Sequence, residues 1–530
     1  MMRRMTAIGL LVALVMTACS GDDAVVVPAP IVAPTTSLAI TRPIPSTSTT
    51  TEPTTEPTTE PTTKPTTTAT TAPSVDLPAG PAADVAEELT GGDGVFLAGA
   101  TAGTDLIMAG LVEEEFVAAG TAVSYRGIEL PSDGRFVLAP AGEAEYRTRI
   151  VVRRPESAGD FNGTVVVEWL NVSGGLDAAP DRTNMNDELL RGGYAWVGVS
   201  AQRIGIESGP VAVATGSDLA GMGLKAIDAA RYGSLQHPGD AFSYDVFSQV
   251  GRALRAGDAL GGLRPERLLA VGESQSAFAL TTYVNGVQPL TEVYDGFILH
   301  SRGGAPAPLG EGGRPIDVAA SLSGPPTIVR TDGDAPVLVV QTETDLVSIF
   351  QYHAARQADS ERFRLWEIAG TAHADRFMLG GAADSVGCSA PINDGPQRFV
   401  VSAALRSLDT WVRTGDAPPM AARLEIEVSG GSPVIVRDAD GIALGGIRTP
   451  LVDVPAAVLS GEPGPTPSII CLLLGSTMPL SDDRLVELHG DTTGYLEAFE
   501  TATDAAIEAG FVLAEDREAM LAEAQPDLVP

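Results

Sequence analysis

The chain has 530 residues, 44% of them hydrophobic, and its 34 Lys plus Arg against 68 Asp plus Glu give a formal net charge of −34. Its length suits two or three domains with a sizeable core, while so acidic a surface repels phosphate backbones and anionic lipid headgroups and argues against nucleic-acid binding. Its three widely spaced cysteines exclude both a disulfide-dense scaffold and a paired-cysteine zinc module.

Residues 1–18 (MMRRMTAIGLLVALVMTA) have the pattern of a secretory signal. Arg3 and Arg4 precede an apolar run of about 14 residues, which is too short to cross a bilayer as a helix. The run ends in MTAC at residues 16–19, which resembles the lipobox of bacterial lipoproteins and implies lipidation of Cys19. An ordinary secretory signal with an incidental cysteine is the alternative. We expect an exported protein at the outer face of the cell membrane, in the cell envelope.

Residues 19–80 are rich in Pro and Thr and include the repeat TEPTTEPTTEPTTKPT at 51–66. Proline removes amide donors and favours extended polyproline II, so about 60 such residues reach on the order of 150 Å. We interpret the segment as a disordered tether that lifts a domain off the membrane. A glycosylated stalk is the alternative, and both interpretations exclude chemistry here.

Short continuous hydrophobic runs recur in residues 81–530, and runs of this kind are typical of strands covered on both faces. They lie at 165–170, 195–200, 267–272, 296–300, 337–342 and 363–368. Helical patterns between and after them lie at 245–255, 275–284 and 398–413. The alternation predicts an α/β fold with a mainly parallel sheet flanked by helices.

Two departures from this alternation are predicted. Residues 122–154 alternate in polarity around the turn PSDG at 131–134, which favours an antiparallel hairpin before the parallel strands. Gly/Pro-rich stretches near 207–240, 301–334 and 416–478 lie outside the repeat, and we interpret them as lid or cap insertions.

The most informative motif, GESQS at residues 272–276, leads from a predicted strand into a helix. This placement puts Ser274 on a tight turn, with its Oγ above the sheet and the N-terminal amides of the helix directed at it. Gly272 fills one of the positions where the turn needs a small residue, whereas Ser276 stands where a second glycine is usual. Taken alone, the motif also fits a serine that only caps a helix.

Two further residues complete a candidate triad in the chain order serine, acid, histidine. Asp345 follows the fifth predicted strand, and His373 lies on a loop of small residues after the sixth. We expect His373 to take the proton of Ser274 and Asp345 to orient the imidazole. Glu343 is the rival acid, because a two-residue shift of the loop would exchange the two.

The oxyanion of an acyl-transfer reaction needs fixed N–H donors. The amide of Gln275, directly after the serine, is expected to be one donor. The turn NVSGG follows the first predicted strand, and the amide of Asn171 or Val172 is expected to be the other. A tight loop without this role is the alternative.

Four stretches resemble a bacterial family of alpha/beta hydrolase domain proteins that are often exported. They are HPGDAFSYDVFSQVGRAL (237–254), GESQSAFALTTYVNGVQPL (272–290), YDGFILHSR (294–302) and LWEIAGTAHAD (365–375). The resemblance extends from about residue 168 to the C-terminus. It implies the alpha/beta-hydrolase fold and GESQS as a normal form of the elbow, but it supplies no substrate. The triad assignment is an alignment to the wider superfamily.

The sequence offers little for other kinds of site. It contains no HExxH, paired-cysteine or Gly-Lys-Ser/Thr motif, so we predict no metal and no cofactor. His237 and His300 are weaker candidates to line the pocket. Cys388 precedes the insertion near 416–478 and Cys471 lies near its end, and export permits a disulfide between them. Two separate buried thiols are the alternative.

These features predict a membrane-tethered, monomeric serine hydrolase that cleaves small-molecule carboxylic esters through an acyl-enzyme. Esters are favoured because acyl transfer suits the triad and esterases dominate this fold, which is an argument by analogy. An amidase, peptidase or acyltransferase would use the same residues. A lipoprotein that binds a ligand on an inert hydrolase fold is a further alternative.

Overall fold

The computed structural model describes residues 78–99, 106, 108–214, 217–465, 468 and 470–530. The predicted signal peptide, Cys19 and the Pro/Thr-rich segment up to residue 77 lie outside the described residues. Within the described ranges, no helix combines the length and the apolar character needed to cross a membrane.

One large sheet organises the fold. Its strands are β1 (Leu111–Glu129), β2 (Val137–Pro155), β3 (Thr164–Trp169), β4 (Ala195–Val199), β5 (Arg267–Glu273), β6 (Gly296–His300), β7 (Val337–Thr342) and β8 (Phe363–Ile368). They lie in the order β1-β2-β4-β3-β5-β6-β7-β8. β1 and β2 form an antiparallel hairpin and β2 pairs antiparallel with β4, whereas the other neighbours pair parallel. The predicted α/β fold with a mainly parallel sheet and an antiparallel start is confirmed.

Hydrophobic side chains on both faces of the sheet explain the continuous apolar runs. In β3, Val165 and Val167 pack into the core on one face, whereas Val166 packs into the core on the other. Every residue of β3 is buried. A strand covered on both sides has no polar face, so its sequence does not alternate.

Helices cover the two faces. The described α-helices are α1 (Pro180–Arg191), α2 (Arg203–Ile206), α3 (Leu224–Ile227), α4 (Ala229–Tyr232), α5 (Ser243–Ala256), α6 (Gln275–Thr282), α7 (Gln288–Thr291), α8 (Val318–Ser323), α9 (Glu343–Val347), α10 (Arg376–Leu379), α11 (Gln397–Thr414), α12 (Pro450–Asp453), α13 (Cys471–Leu474), α14 (Asp482–His489), α15 (Thr492–Glu508) and α16 (Arg517–Leu521). α5 and α6 contribute to the core on one face, and α1 and α11 to the core on the other.

The three predicted insertions contain short elements. The first holds α3 and α4, and its amides of Ala212 and Val213 donate to Ser173 O at 3.1 and 2.9 Å, so it lies against the loop after β3. The second holds α8. The third holds the hairpin of β9 (Ile426–Ser429) and β10 (Ser432–Ile435), and β11 (Ala457–Ser460), which pairs with β12 (Ser476–Pro479). A disulfide joins Cys388 to Cys471.

Candidate active site

Ser274 lies on the tight turn between β5 and α6, with φ +57° and ψ −121°. A side chain other than glycine costs about 1–3 kcal/mol in such a conformation, so the surroundings must hold it. One restraint is the Ser274 N–H, which donates to His300 O at 2.9 Å. A Cβ at Gly272 would lie 2.9 Å from Leu280 Cδ1 and from Ser276 Cβ, which explains the glycine. Ser276 is fully buried and fits where a second glycine is usual.

His373 lies on the loop after β8 and contacts both other members of the candidate triad. Its Nε2 is 2.8 Å from Ser274 Oγ, and its Nδ1 is 2.7 Å from Asp345 Oδ1. A carboxylate can only accept, so Nδ1 carries the hydrogen and Nε2 keeps the lone pair that accepts from the serine hydroxyl. The ring of Phe350 stacks on the imidazole, with centroids 4.3 Å apart and planes inclined by 20°.

Asp345 lies in the first turn of α9 and is held by the end of β7. Its Oδ2 accepts from the N–H of Thr342 at 2.7 Å and from the Thr342 hydroxyl at 2.8 Å. Because Thr342 and Asp345 cap the helix reciprocally, the carboxylate has one preferred orientation. Oδ1 is thereby left facing His373.

Glu343, the rival acid, has a different set of partners. Its Oε1 accepts from the amide of Gly370 at 2.6 Å. Its Oε2 accepts from Arg437 Nη2 at 2.7 Å and from the amide of Gly461 at 3.0 Å. Glu343 therefore ties the third insertion to the sheet, and the alternative in which it orients the imidazole disagrees with this geometry.

Of the three amides predicted to bind the oxyanion, the Asn171 amide is already hydrogen-bonded, whereas the Gln275 and Val172 amides remain candidates. Gln275 begins α6, so its amide has no acceptor within the helix and belongs to the positive N-terminal end. The Asn171 amide donates to Ala178 O at 2.9 Å, so the expectation that it serves as a donor is not supported. Val172 is the remaining candidate. The Ser173 hydroxyl donates to Gln275 Oε1 at 3.3 Å, which brings this loop beside α6.

His237 and His300 have partners away from the serine hydroxyl. The Nε2 of His237 is 2.9 Å from Ala201 O and its Nδ1 accepts from the Gly239 amide at 3.2 Å, while burial lowers its pKa. The Nδ1 of His300 is 2.9 Å from Asp181 Oδ1. Burial alone would lower the pKa of His300, but the hydrogen bond and charge of Asp181 outweigh it and raise that pKa. Neither imidazole bonds to the candidate triad in the described contacts, and their pocket-lining role stays a prediction.

A family model described as an alpha/beta hydrolase domain matches residues 77–522. The chain belongs to this alpha/beta hydrolase family. Among curated proteins, no sequence match was found.

Several solved hydrolases are similar to this chain. One of two fungal esterases from Rhizomucor miehei is 11% identical, with a TM-score of 0.30 over 58% of this chain and 88% of its own. A serine hydrolase without a lid from Xanthomonas campestris is 14% identical, with a TM-score of 0.28 over 55% and 94%. A serine hydrolase homologue from Coxiella burnetii is 14% identical, with a TM-score of 0.27 over 49% and 92%. One fold hosts many reactions, so the substrate class has to be argued from the site.

Sequence reasoning missed two residues of this hydrolase's site. Glu273, the residue before the serine, is buried, and its Oε1 lies 3.3 Å from His373 Nε2. An ionisable residue at the end of a buried strand is the signal that would have indicated it. Phe350 lies in the connection between α9 and β8, where an apolar residue carries no distinguishing pattern.

One large described cavity lies apart from the candidate triad. This cavity, of about 540 Å³, is lined by Tyr294, Arg330 and Trp411 among others. It lies beside the amino ends of β6 and β7, whereas Ser274 lies at the carboxyl end of β5. In the described part of the chain, no three His, Cys, Asp or Glu residues are grouped so as to hold a metal ion.

Proposed function

We propose that this hydrolase cleaves carboxylic esters through an acyl-enzyme, with Ser274 as nucleophile, His373 as base and then acid, and Asp345 as the residue that orients the imidazole. The observation that supports the proposal is the chain of two hydrogen bonds, 2.8 Å at Nε2 and 2.7 Å at Nδ1, through His373. A serine hydroxyl is a weak nucleophile unless a base takes its proton. In the proposal, His373 is that base and Asp345 provides its counter-charge.

In the first step, Ser274 Oγ bonds to the carbonyl carbon while His373 Nε2 takes the hydroxyl proton. His373 then gives this proton to the leaving-group oxygen, the C–O bond breaks and the alcohol departs. In the second step, water attacks the acyl carbon, loses a proton to Nε2, and Ser274 is released with that proton. The amides of Gln275 and Val172 are the proposed donors to the oxyanion in both steps.

The proposal also places the enzyme outside the cytoplasm. Residues 1–18 would direct export, Cys19 would carry the lipid anchor, and residues 19–80 would tether a hydrolase domain formed by residues 81–530. The disulfide between Cys388 and Cys471 supports this location, because disulfides persist in oxidising compartments.

A fluorophosphonate probe tests the nucleophile directly. We expect wild-type protein to form one covalent adduct, Ser274→Ala to form none, and the kcat for a short acyl ester to fall on the order of 10⁶-fold in that variant. Ser276→Ala is the matched control, since that buried hydroxyl has no hydrogen-bond partner among the described residues. Folded wild-type protein without an adduct at Ser274 would favour an inert binding protein.

A panel of short acyl esters, amides and peptides then tests the reaction class. The proposal expects the highest kcat/KM with esters. A preference for amides or peptides would replace the esterase with an amidase or peptidase, and acyl transfer to an added alcohol faster than hydrolysis would indicate an acyltransferase.

Cell fractionation tests the anchor separately. Cys19→Ala should release the protein from the membrane fraction. Unchanged membrane retention of that variant would contradict lipidation at Cys19 while leaving the catalytic proposal intact.

A further inference from the structure

Among the described residues, Glu273 is the carboxyl group that contacts His373 Nε2, the nitrogen that takes the serine proton in the proposed reaction. It ends β5, directly before Ser274, and is 4% exposed. Its Oε1 is 3.3 Å from His373 Nε2, the same nitrogen that accepts from the serine hydroxyl at 2.8 Å. An oxygen bound to Nε2 between Ser274 Oγ and Oε1 can therefore also accept a hydrogen bond from Oε1.

The partners of Glu273 determine which of its oxygens carries a proton. Oε2 accepts from Asn171 Nδ2 at 3.3 Å. The orientation of the Asn171 amide is fixed, because its Oδ1 accepts from the Ser173 N–H at 2.8 Å. Oε2 therefore faces a donor, and a proton on this carboxyl group belongs on Oε1, beside His373.

The surroundings favour the protonated form. Burial raises the pKa of Glu273 well above its usual range, and the negative charges of Asp181, Asp345 and Glu168 raise it further. These residues come from α1, α9 and β3.

Two histidines also face this region: His373 from the loop after β8, and His300, which lies opposite Glu273 on β6 and is bonded to Asp181. Among the described residues, the basic side chain nearest to the Glu273 carboxyl group is His373, at 3.3 Å.

We propose that Glu273 is a further catalytic residue, whose protonated Oε1 donates a hydrogen bond to the oxygen that sits beside His373 Nε2 during the reaction. That oxygen belongs to the leaving group in the first step and to the attacking water in the second. The proposal rests on the serine-hydrolase function proposed above and adds a second donor at the same point.

The proton count stays balanced. The serine proton moves to Nε2 and then to the leaving-group oxygen, while Glu273 keeps its own proton and only donates a hydrogen bond. In the second step, the water donates to Nε2 and accepts from Oε1. These two hydrogen bonds orient the water so that its remaining lone pair points at the acyl carbon. A donor placed at developing negative charge lowers the barrier most when the leaving group is basic.

Substitutions at Glu273 test the donor. Glu273→Ala should lower kcat about 100-fold for an alkyl ester and about tenfold for a 4-nitrophenyl ester, because the second leaving group needs less help. Glu273→Gln retains an N–H donor, and we expect about a tenfold fall for both esters. Equal losses for the two esters in Glu273→Ala would overturn the donor role.

The pH profile separates this role from a structural one. Since the active form is protonated, kcat should fall as pH rises through the pKa of Glu273, and Glu273→Gln should lose this alkaline limb. Asp181→Asn removes a nearby negative charge and should move the limb to lower pH. If Glu273→Gln keeps the alkaline limb and shifts the acid limb instead, Glu273 is ionised beside an imidazolium and the proposal is wrong.

The results of these experiments distinguish a failure of the Glu273 proposal from a failure of the serine-hydrolase function on which it rests. If wild-type protein neither hydrolyses esters nor forms the Ser274 adduct, both proposals fail. If wild-type protein does both, and folded Glu273 variants keep its pH profile and leaving-group dependence, only the role of Glu273 fails. Thermal melting of each variant confirms that it is folded before its kinetics are compared.

Discussion

The ring of Phe350 stacks on the imidazole of His373, with the two centroids 4.3 Å apart. Both side chains are buried, so the phenyl ring limits the rotation of the imidazole and excludes water from one of its faces. The hydrogen bonds to Asp345 and Ser274 hold the ring at Nδ1 and Nε2 but do not oppose its tilting about the line between these atoms. Phe350 therefore restrains a degree of freedom that the candidate triad itself leaves open.

Replacing Phe350 tests this restraint. We expect Phe350→Ala to lower kcat for a short ester about tenfold, since small misplacements of a catalytic group are costly, and to lower the free energy of unfolding by about 3 kcal/mol. Phe350→Leu keeps most of the volume and should lose less stability. Steady-state kinetics and urea unfolding measure the two effects. A folded Phe350→Ala variant with wild-type kcat would show that the stacking has no catalytic part.

The two acids on α9 form a matched pair for mutation. Asp345→Asn should lower kcat on the order of 10⁴-fold, because an amide favours the wrong imidazole tautomer. Glu343→Gln should instead cost about 2 kcal/mol of stability, since it removes the closer carboxylate partner of the largely buried Arg437 and leaves only Glu462 at 3.5 Å. Kinetics and thermal melting of both variants check this division. The reverse outcome, with the larger kinetic loss in Glu343→Gln, would restore Glu343 as the orienting acid.

The sheet could be predicted well from the sequence because its strands are short, continuous and apolar. The runs at 296–300, 337–342 and 363–368 coincide with β6, β7 and β8. The proximity of Ser274, Asp345 and His373 followed from topology, because parallel strands bring their carboxyl ends to one edge of a sheet.

Side-chain partners could not be predicted in the same way. Asp345 and Glu343 are two residues apart in the first turn of α9, and the choice between them depends on Arg437 and Gly461, which come from a distant insertion. The Asn171 amide donates a hydrogen bond to Ala178 O, and hydrophobic periodicity does not indicate this pairing. These partners are set by long-range packing, which leaves no local signal in the sequence.

The disulfide offers a test of stability and compartment together. Cys388 and Cys471 are 83 residues apart, so their cross-link restricts a long loop of the unfolded chain and contributes about 4.5 kcal/mol in the chain-entropy account. A reducing agent should lower the Tm of the wild-type protein and leave the Tm of the Cys388→Ser, Cys471→Ser double variant unchanged. Titration of two free thiols in unreduced, exported protein would contradict the bond.

Asp375 makes stability depend on pH in a definite direction. Burial raises its pKa from 3.8 to about 6, although the Met378 amide and Gln397 Nε2 both donate to it. The folded state therefore holds a proton that the unfolded state loses first. The resulting stability is fully present below pH 3.8 and is lost as pH rises through about 6.

Asp375→Asn should remove this dependence. The asparagine oxygen still accepts from the Met378 amide. The asparagine Nδ2 can donate to Gln397 Oε1 once the side-chain amide of Gln397 is flipped, and this Oε1 has no hydrogen-bond partner among the described residues. The gap from 3.8 to about 6 corresponds to about 3 kcal/mol, at about 1.4 kcal/mol per pH unit. We expect the variant to gain up to that amount over the wild-type protein above pH 6 and little at pH 4, as measured by urea unfolding across this range. The opposite result is a free energy of unfolding that rises between pH 4 and pH 6 equally in the wild-type protein and in Asp375→Asn. That result would contradict the role given to Asp375, because the pH dependence would then come from other groups.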